Sequence, residues 1–342
     1  MTYRAHRRSR MMGLALEAAR SCRLVASPNP WVGCVIDTAE GRYSGATSPP
    51  GGNHAEINAL EAAGPRAAGA DLYTTLEPCC HQGRTGPCTE AIVAAGIARV
   101  VVAVEDPDPS VSGRGLAALR SAGMAVEVGV RADEAAELLA PYFKHRRTGF
   151  PWVVLKLAAT LDGRIAAPDS TSRWITGPEA RADVHRLRAE SDAVLVGAGT
   201  VRADDPALTV RDWQPSPGVA PRIGQPLRVV LGSVPSDARA RPALEMGGPL
   251  EQVLGELGER GVVQLLVEGG AATAAAFHRA GLVDHYAVYL APALFGGDDS
   301  RPMLAGPGAA TIADLWRGDI AAITRLGPDL RVDLRPLATA LD

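Results

Sequence analysis

Aromatic residues make up only 4% of the 342-residue sequence, too few to furnish the stacking platforms on which single-stranded nucleic acids lie. Positive charge is not in excess either. The net charge is -3 and the isoelectric point is near 6.2, so no basic field invites a polyanion. Nowhere is there an apolar run long enough to span a bilayer. The basic start Arg7-Arg8-Ser9-Arg10, ahead of Met11-Met12, has the outline of an export signal, but Glu17 and Arg20 cut its apolar stretch short. An amphipathic first helix is expected there instead. Cysteine is sparse and odd in number, at five, which argues against a disulfide framework and for a reducing, cytoplasmic setting and metal use.

The length suggests two domains. Through the first part, helix and strand alternate: a helix near 11–20, strands at 31–36 and 42–46, the helix that His54 opens, and a strand at 71–76. A helix from Cys88, a strand at 99–104, a helix near 116–121 and a strand at 125–130 follow. Such alternation predicts a layered α/β sheet with helices on its faces. The polar, basic stretch 141–150 reads as a boundary, giving domains over 1–145 and 150–342. Beyond it come a strand from 151, a helix at 178–190, and strands at 193–196, 227–231 and 263–267. Helices at 250–259 and 270–280, a strand at 285–290 and a C-terminal strand pair complete the second domain, with plain loops expected at 213–226 and 235–249.

Chemistry concentrates in two places. The first is His54-Ala55-Glu56, followed by Glu77-Pro78-Cys79 and then Cys88. One imidazole and two thiolates can hold zinc while leaving a coordination position open for water. Zinc makes that water acidic enough to attack the amino-bearing carbon of a heteroaromatic ring, and a carboxylate that is not a ligand, Glu56, can move the protons. Nucleobase deaminases carry these groups in the order H-x-E, then P-C and C. Cys88 opens a helix, where a lowered thiol pKa is expected. A closed structural zinc site with Cys80 or His81 as fourth ligand, and a pair of unrelated buried cysteines, are the competing readings.

The second is a pair of strand–glycine–helix junctions, Gly197-Ala198-Gly199-Thr200 and Glu268-Gly269-Gly270-Ala271. Glycines let backbone N–H groups approach an anion, and two such junctions in one sheet suit a dinucleotide. Neither matches G-x-G-x-x-G, and plain turns are the simpler reading on spacing alone. Arg188, Arg202 and Arg211 are candidate phosphate ligands. Lys156 lies in an apolar strand, where a lysine is costly unless paired or used.

Ser27-Pro28-Asn29-Pro30-Trp31-Val32-Gly33, His54-Ala55-Glu56 and the run from Glu77 through His81 and Arg84 to Cys88 resemble the deaminase half of the bifunctional riboflavin-biosynthesis deaminase/reductase family. The stretches from Leu155, Ser172, Leu187 and Thr200, and Val267-Glu268-Gly269-Gly270, resemble its reductase half, so the likeness spans residues 10 to 337. It implies an N-terminal cytidine-deaminase-like three-layer domain and a C-terminal dihydrofolate-reductase-like α/β domain. The implied reactions are zinc-dependent removal of the 2-amino group of 2,5-diamino-6-ribosylamino-4(3H)-pyrimidinone 5′-phosphate, then NADPH-dependent reduction of ribosyl to ribityl. By motif position, His54, Cys79 and Cys88 bind zinc, Glu56 shuttles protons, and Asn29, His81 and Arg84 hold the pyrimidine nucleotide. Ala159, Trp174, Thr200, Asp204, Ser233 and the run Gly270, Ala271, Ala272, Thr273, Ala274, Ala275, Ala276 fall at NADPH positions. Ser172, Arg188, Leu208, Arg211 and Glu268 fall at substrate positions, with Lys156 beside them. The likeness also implies a homo-oligomer acting on small molecules, while the charge, the aromatic content and the lack of long apolar runs argue against nucleic acid and a membrane. Two departures stand out: Thr47, where many relatives have histidine, and a short segment between Ser233 and Gly261.

Three other functions compete. In one, only the deaminase works and the second domain is a docking or dimerising module. The others are deamination of a base in RNA, and a zinc-stabilised binding protein without catalysis.

Overall fold

The computed structural model describes residues 3–81 and 86–337. Two compact units emerge: one runs to Phe150 and takes in Pro215–Ile223, and the other comprises Pro151–Gln214 and the chain from Gly224.

In the first unit, α1 (Tyr3–Ser21) leads to strands β1 (Gly33–Asp37) and β2 (Arg42–Ala46). Next come α2 (Ala55–Ala63), β3 (Asp71–Leu76), α3 (Cys88–Ala94), β4 (Arg99–Val104), α4 (Arg114–Ser121), β5 (Ala125–Val128) and α5 (Ala132–Thr148). The sheet order is β2-β1-β3-β4-β5; β1 runs antiparallel to both neighbours, and β3, β4 and β5 are parallel. Two glycines let helices lie directly on this sheet. A Cβ on Gly33 would sit 1.9 Å from the Ala15 carbonyl of α1, and one on Gly45 would sit 2.1 Å from the Ala55 carbonyl of α2. Gly33 pairs with Ala46, so the adjacent Gly45 faces the other way. The two helices therefore cover opposite faces, which makes the three layers. Met11, Met12, Ala15 and Leu16 of α1 pack with Val35, Tyr73, Val101 and Ala135.

The units part between Phe150 and Pro151, at the end of the stretch 141–150 where a boundary is expected, but most of that stretch is helix and not turn: it forms the C-terminal half of α5. Acidic residues in its first turn and His145, Arg146 and Arg147 in its last suit the helix dipole, and Pro141 is accommodated inside it. Gly149, at φ 75°, closes the helix through its N–H to the His145 carbonyl. The chain expected as a plain loop at 213–226 gives residues 215–223 to the first unit, where the Ala220 N–H donates to the Ser21 carbonyl at 2.9 Å.

The second unit contains β6 (Trp152–Thr160), β7 (Arg164–Ala166), α6 (Pro178–Glu190), β8 (Ala193–Gly197), α7 (Ala198–Asp204), β9 (Leu227–Leu231), β10 (Leu244–Met246) and α8 (Leu250–Glu259). It continues with β11 (Gln264–Val267), α9 (Ala271–Arg279), β12 (His285–Ala291), β13 (Arg301–Pro302), β14 (Gly318–Leu326) and β15 (Asp329–Pro336). Its main sheet has the order β10-β9-β8-β11-β6-β12-β15-β14. The strands from β10 to β12 are parallel, while β15 and β14 add an antiparallel edge. The loop expected over 235–249 therefore carries a strand, β10, which pairs with β9 despite the short segment around it. Leu187 of α6 packs with Val154, Val194, Leu266 and Ala287, so one face of the central strands lies under α6.

Candidate active site

The first site assembles at the ends of β3, α2 and α3. His54 is the residue before α2 rather than part of it, and its carbonyl accepts the helix's opening bond from the Asn58 N–H at 3.1 Å. Asn58 also donates to the Ala46 carbonyl at 2.7 Å, tying the helix to the end of β2. Cys79 lies three residues past β3, and Cys88 is the first residue of α3. The His54 Nδ1 is 3.5 Å from the Cys79 sulfur and 3.3 Å from the Cys88 sulfur. All three ligand atoms lie within 4.8 Å of one another, and among the described residues no further His, Cys, Asp or Glu joins them. Cys80 and His81, the fourth ligands of the competing structural reading, stay outside. Three nitrogen and sulfur donors with a position left over fit zinc in a catalytic geometry.

Glu56, in the first turn of α2, is 4% exposed. Burial, then the neighbouring Cys79 charge, pushes its carboxyl up to about 7. A carboxyl there can both take and give a proton near neutrality. Of the two sulfurs it is Cys79, not the helix-opening Cys88, that is held below the usual thiol range. The Cys88 thiol donates to it and His54 assists, against the cost of burial. The Cys88 N–H also points at the Cys79 sulfur, at 3.4 Å.

Asn29 is half-buried just after a cis Ser27–Pro28 bond, His81 is exposed, and Arg84 lies outside the described residues. Thr47 is buried, and its hydroxyl accepts from the Val32 N–H at 3.1 Å. Thr47 thus pins the chain ahead of β1.

The second site lies at the carboxyl ends of the parallel strands β8, β11 and β6, where ligands of such sheets bind. The two glycine junctions are side by side: the Gly197 N–H donates to the Gly269 carbonyl at 3.2 Å, and the Gly270 N–H to the Thr200 hydroxyl at 2.8 Å. A Cβ on Gly197 would lie 2.5 Å from the Thr273 hydroxyl, so a larger residue there would have to turn that side chain aside. Within these turns Gly199 is exposed and Gly197 and Gly270 are half-buried. Ser172, Thr273 and Asp204 are half-buried and Ser233 and Ala272 exposed, all open to a ligand. Trp174 is 67% exposed, with the Arg181 guanidinium over its ring at 4.6 Å. Ala159 and Ala274 have no exposed surface, while Ala271, Ala275 and Leu208 have almost none. Ala276 is half-buried in α9.

Register sets the charged centre. Val267 pairs with Leu155, so Glu268, the residue after β11, stands beside Lys156 on the face that α6 covers. From α6, Arg188 reaches Glu268 with two bonds and gives a third to the Thr209 carbonyl at 2.9 Å. Burial alone would raise the Glu268 carboxyl, but Arg188 outweighs it and holds the group below its ordinary range. Burial lowers Lys156, with Glu268 opposing. Arg211 is exposed, its backbone N–H directed at the His185 ring at 3.3 Å. His185 and Arg181 escaped the sequence reading. A histidine and an arginine on a polar helix face carry no signal until the 204–211 loop and Trp174 are placed against them.

Models of known families agree with both halves. The cytidine and deoxycytidylate deaminase zinc-binding region matches residues 5–104, and the RibD C-terminal domain matches residues 151–332. The riboflavin biosynthesis protein RibD of Escherichia coli K12 is 40% identical over 364 residues, covering 94% of this chain and 98% of that protein. The chain belongs to the RibD family. RibD of Mycobacterium tuberculosis is 43% identical over 333 residues, covering 94% of this chain and 96% of that protein. Among solved structures, RibD of Acinetobacter baumannii superposes with a TM-score of 0.90 at 37% identity, covering 98% of this chain and all of that one. A diaminohydroxyphosphoribosylaminopyrimidine deaminase/5-amino-6-(5-phosphoribosylamino)uracil reductase from Thermotoga maritima gives 0.85 at 30% identity, again over 98% of this chain. The cytidine-deaminase-like domain followed by a reductase domain is the RibD architecture, and it is bifunctional, with zinc in the first half and NADPH in the second.

Proposed function

We propose the following division of labour among the residues of this riboflavin-biosynthesis deaminase/reductase. His54, Cys79 and Cys88 hold zinc, which supplies Lewis-acid activation of water. Glu56 would take a proton from the attacking water as its oxygen bonds to C2 of 2,5-diamino-6-ribosylamino-4(3H)-pyrimidinone 5′-phosphate, and would pass it to the amino group that leaves C2 as ammonia. Asn29, His81 and Arg84 hold the nucleotide. The observation that carries this reading is the convergence of the three ligand atoms within 4.8 Å beside a buried carboxyl raised to about 7.

In the second unit the paired glycine junctions, with Thr200, Asp204, Ser233 and Trp174, receive NADPH, the hydride source. Ser172, Leu208, Arg211 and the Arg188–Glu268 pair with Lys156 position the deaminated substrate for reduction of its ribosyl chain. The domain's main task is alignment. That Arg188 and Glu268 pair just past the end of β11, with Lys156 of mid-β6 beside them, favours a working reductase over a mere docking module.

The ligands are small pyrimidine nucleotides. No helix of the described residues is long and apolar enough to cross a membrane. A cytoplasmic homo-oligomer that does not engage nucleic acid completes the reading. It is supported by the net charge of -3 and by the edge strand β14, whose Ile320 and Ile323 are each 60% exposed. Light scattering of the eluting protein reports the assembly.

The decisive experiment couples metal analysis to ammonia release, with and without chelator, and then follows NADPH oxidation with the deaminated product. Chelator should abolish the first activity and spare the second. Ammonia release that survives full removal of zinc would end the deaminase assignment, and NADPH oxidation indifferent to Glu268→Ala would end the reductase one.

A further inference from the structure

Glu77 stands two residues before Cys79 and is 3% exposed. A buried carboxylate is tolerated only where its oxygens are matched by donors. Both are: Oε2 accepts from the Gly113 N–H at 2.9 Å and the Asp106 N–H at 3.2 Å, and Oε1 from the Leu116 N–H at 3.1 Å. Gly113 precedes α4 and Leu116 is its third residue, so two of these donors are N–H groups that a helix N-terminus leaves without partners. No side chain caps α4 from its own N-cap position. Glu77 therefore caps it from another element, with its charge at the positive end of the helix.

The same helix touches the next residue. A Cβ on Gly115 would lie 2.1 Å from the Pro78 carbonyl, so α4 is in direct backbone contact with the peptide that enters Cys79. On the far side, the Cys79 carbonyl accepts from the Thr89 N–H of α3 at 3.2 Å. Cys79 is thus fixed from both flanks: from α4 through Glu77 and Pro78, and from α3 through Thr89.

Resting on the reading of His54, Cys79 and Cys88 as a zinc site, we propose that Glu77 is a positioning residue for that site, locking the turn that aims the Cys79 sulfur at His54. It acts through Cys79 and not by contact with substrate. The side chain beyond the first ligands is where metal affinity is commonly tuned, by about 10- to 100-fold.

Glu77→Gln keeps the shape but puts an amide NH2 against either the Leu116 N–H or the Gly113 and Asp106 N–H groups. The full-length protein and E77Q are loaded with zinc and challenged with a chromophoric chelator. They are then loaded with cobalt for absorption spectra, and assayed for ammonia release and NADPH oxidation. E77Q should surrender zinc at about 10- to 100-fold lower chelator concentration. Its cobalt bands should shift and its kcat for ammonia release fall, while NADPH oxidation is unchanged. A zinc competition curve and cobalt spectrum like those of the unaltered protein, even with a lower melting temperature, would overturn the proposal, since a purely structural role moves stability alone. Gly115→Ala, whose methyl would lie 2.1 Å from the Pro78 carbonyl and 3.1 Å from the Glu77 Oε1, should reproduce the same losses with the carboxylate charge retained. Insolubility of both variants would make Glu77 a folding determinant and equally defeat the proposal. Unaltered protein that binds no zinc would instead defeat the zinc reading itself, and that measurement comes first.

Discussion

Arg188 and Glu268, 80 positions apart in the chain, meet in two parallel N–H to carboxylate bonds of 2.5 and 2.8 Å. Each side chain is only about a tenth exposed, at 10% and 9%. Arg188 is therefore not a free surface cation awaiting a phosphate. It is half of a fork pair, with its third contact on the Thr209 carbonyl in the loop that carries Arg211. The pair binds α6, the end of β11 and the 204–211 loop into one frame, and Lys156 stands at its edge.

Removing one partner of such a pair leaves a charge buried without its counterpart, at a cost of about 3–5 kcal/mol. Lys156 also faces Glu268 and offsets part of this, so Arg188→Ala should cost about 3 kcal/mol, at the low end of that range. Denaturant unfolding of the second unit reads the loss. NADPH oxidation should disappear while ammonia release continues. A variant that oxidises NADPH at the original rate would take Arg188 out of the reductase site.

Lys156 is one of only two lysines in the sequence, and burial lowers its pKa. At pH values below the lowered pKa the folded protein carries a partly buried charge that the unfolded chain exposes freely, which is destabilising. That penalty fades as pH rises through the folded pKa and is gone above the ordinary lysine value. Lys156→Met should therefore stabilise the second unit at neutral pH, with a margin that narrows as pH is raised. NADPH oxidation should be lost throughout. Melting curves at several pH values give the margin, and one that widened with pH would contradict the buried-charge account.

How much of this was legible beforehand differs by site. His54, Glu56, Cys79 and Cys88 could be read directly, because short spacings on a helix start, a strand end and a second helix start fix which groups converge. Lys156 was conspicuous for the same local reason, a charge in an apolar strand. Its partners were not, since the meeting of Lys156, Glu268 and Arg188 depends on the β6–β11 register and on which face α6 covers. Glu77 looked like part of a motif, while its role as a cap for α4 depends on a helix 36 residues away or more. The stretch 141–150 reads as a turn-rich boundary because it is polar and basic, and a proline usually ends a helix. Packing of Leu139, Tyr142 and Phe143 into the core overrides that preference. The assignment of residues 215–223 to the first unit left no trace in composition at all.

Glu56→Gln removes the proton carrier but keeps the volume and leaves the three ligands untouched. Ammonia release should fall by about a hundred- to ten-thousand-fold. Zinc content should stay unchanged by metal analysis, and NADPH oxidation with the deaminated substrate should be normal. Zinc loss in this variant would mean that the carboxylate supports the metal and is not the shuttle.

Gly45 and Gly33 offer a matched pair of steric tests on opposite faces of one sheet. A methyl at Gly45 would lie 2.1 Å from the Ala55 carbonyl and 2.4 Å from the Ala59 nitrogen, both in α2. A methyl at Gly33 would lie 1.9 Å from the Ala15 carbonyl and 2.4 Å from the Ala19 nitrogen, both in α1. Backbone atoms cannot swing aside as a side chain can, so each Ala substitution should destabilise the first unit by at least the 1–3 kcal/mol that is roughly typical of overpacking. Their effects on the metal should differ. Ala55 lies between His54 and Glu56, so Gly45→Ala pushes on the ligand and the proton carrier together, whereas α1 carries neither. Zinc competition should therefore weaken in Gly45→Ala and hold in Gly33→Ala at matched loss of stability. Equal weakening in both variants would show that general loosening of the unit, rather than the seating of α2 on Gly45, governs how tightly zinc is held.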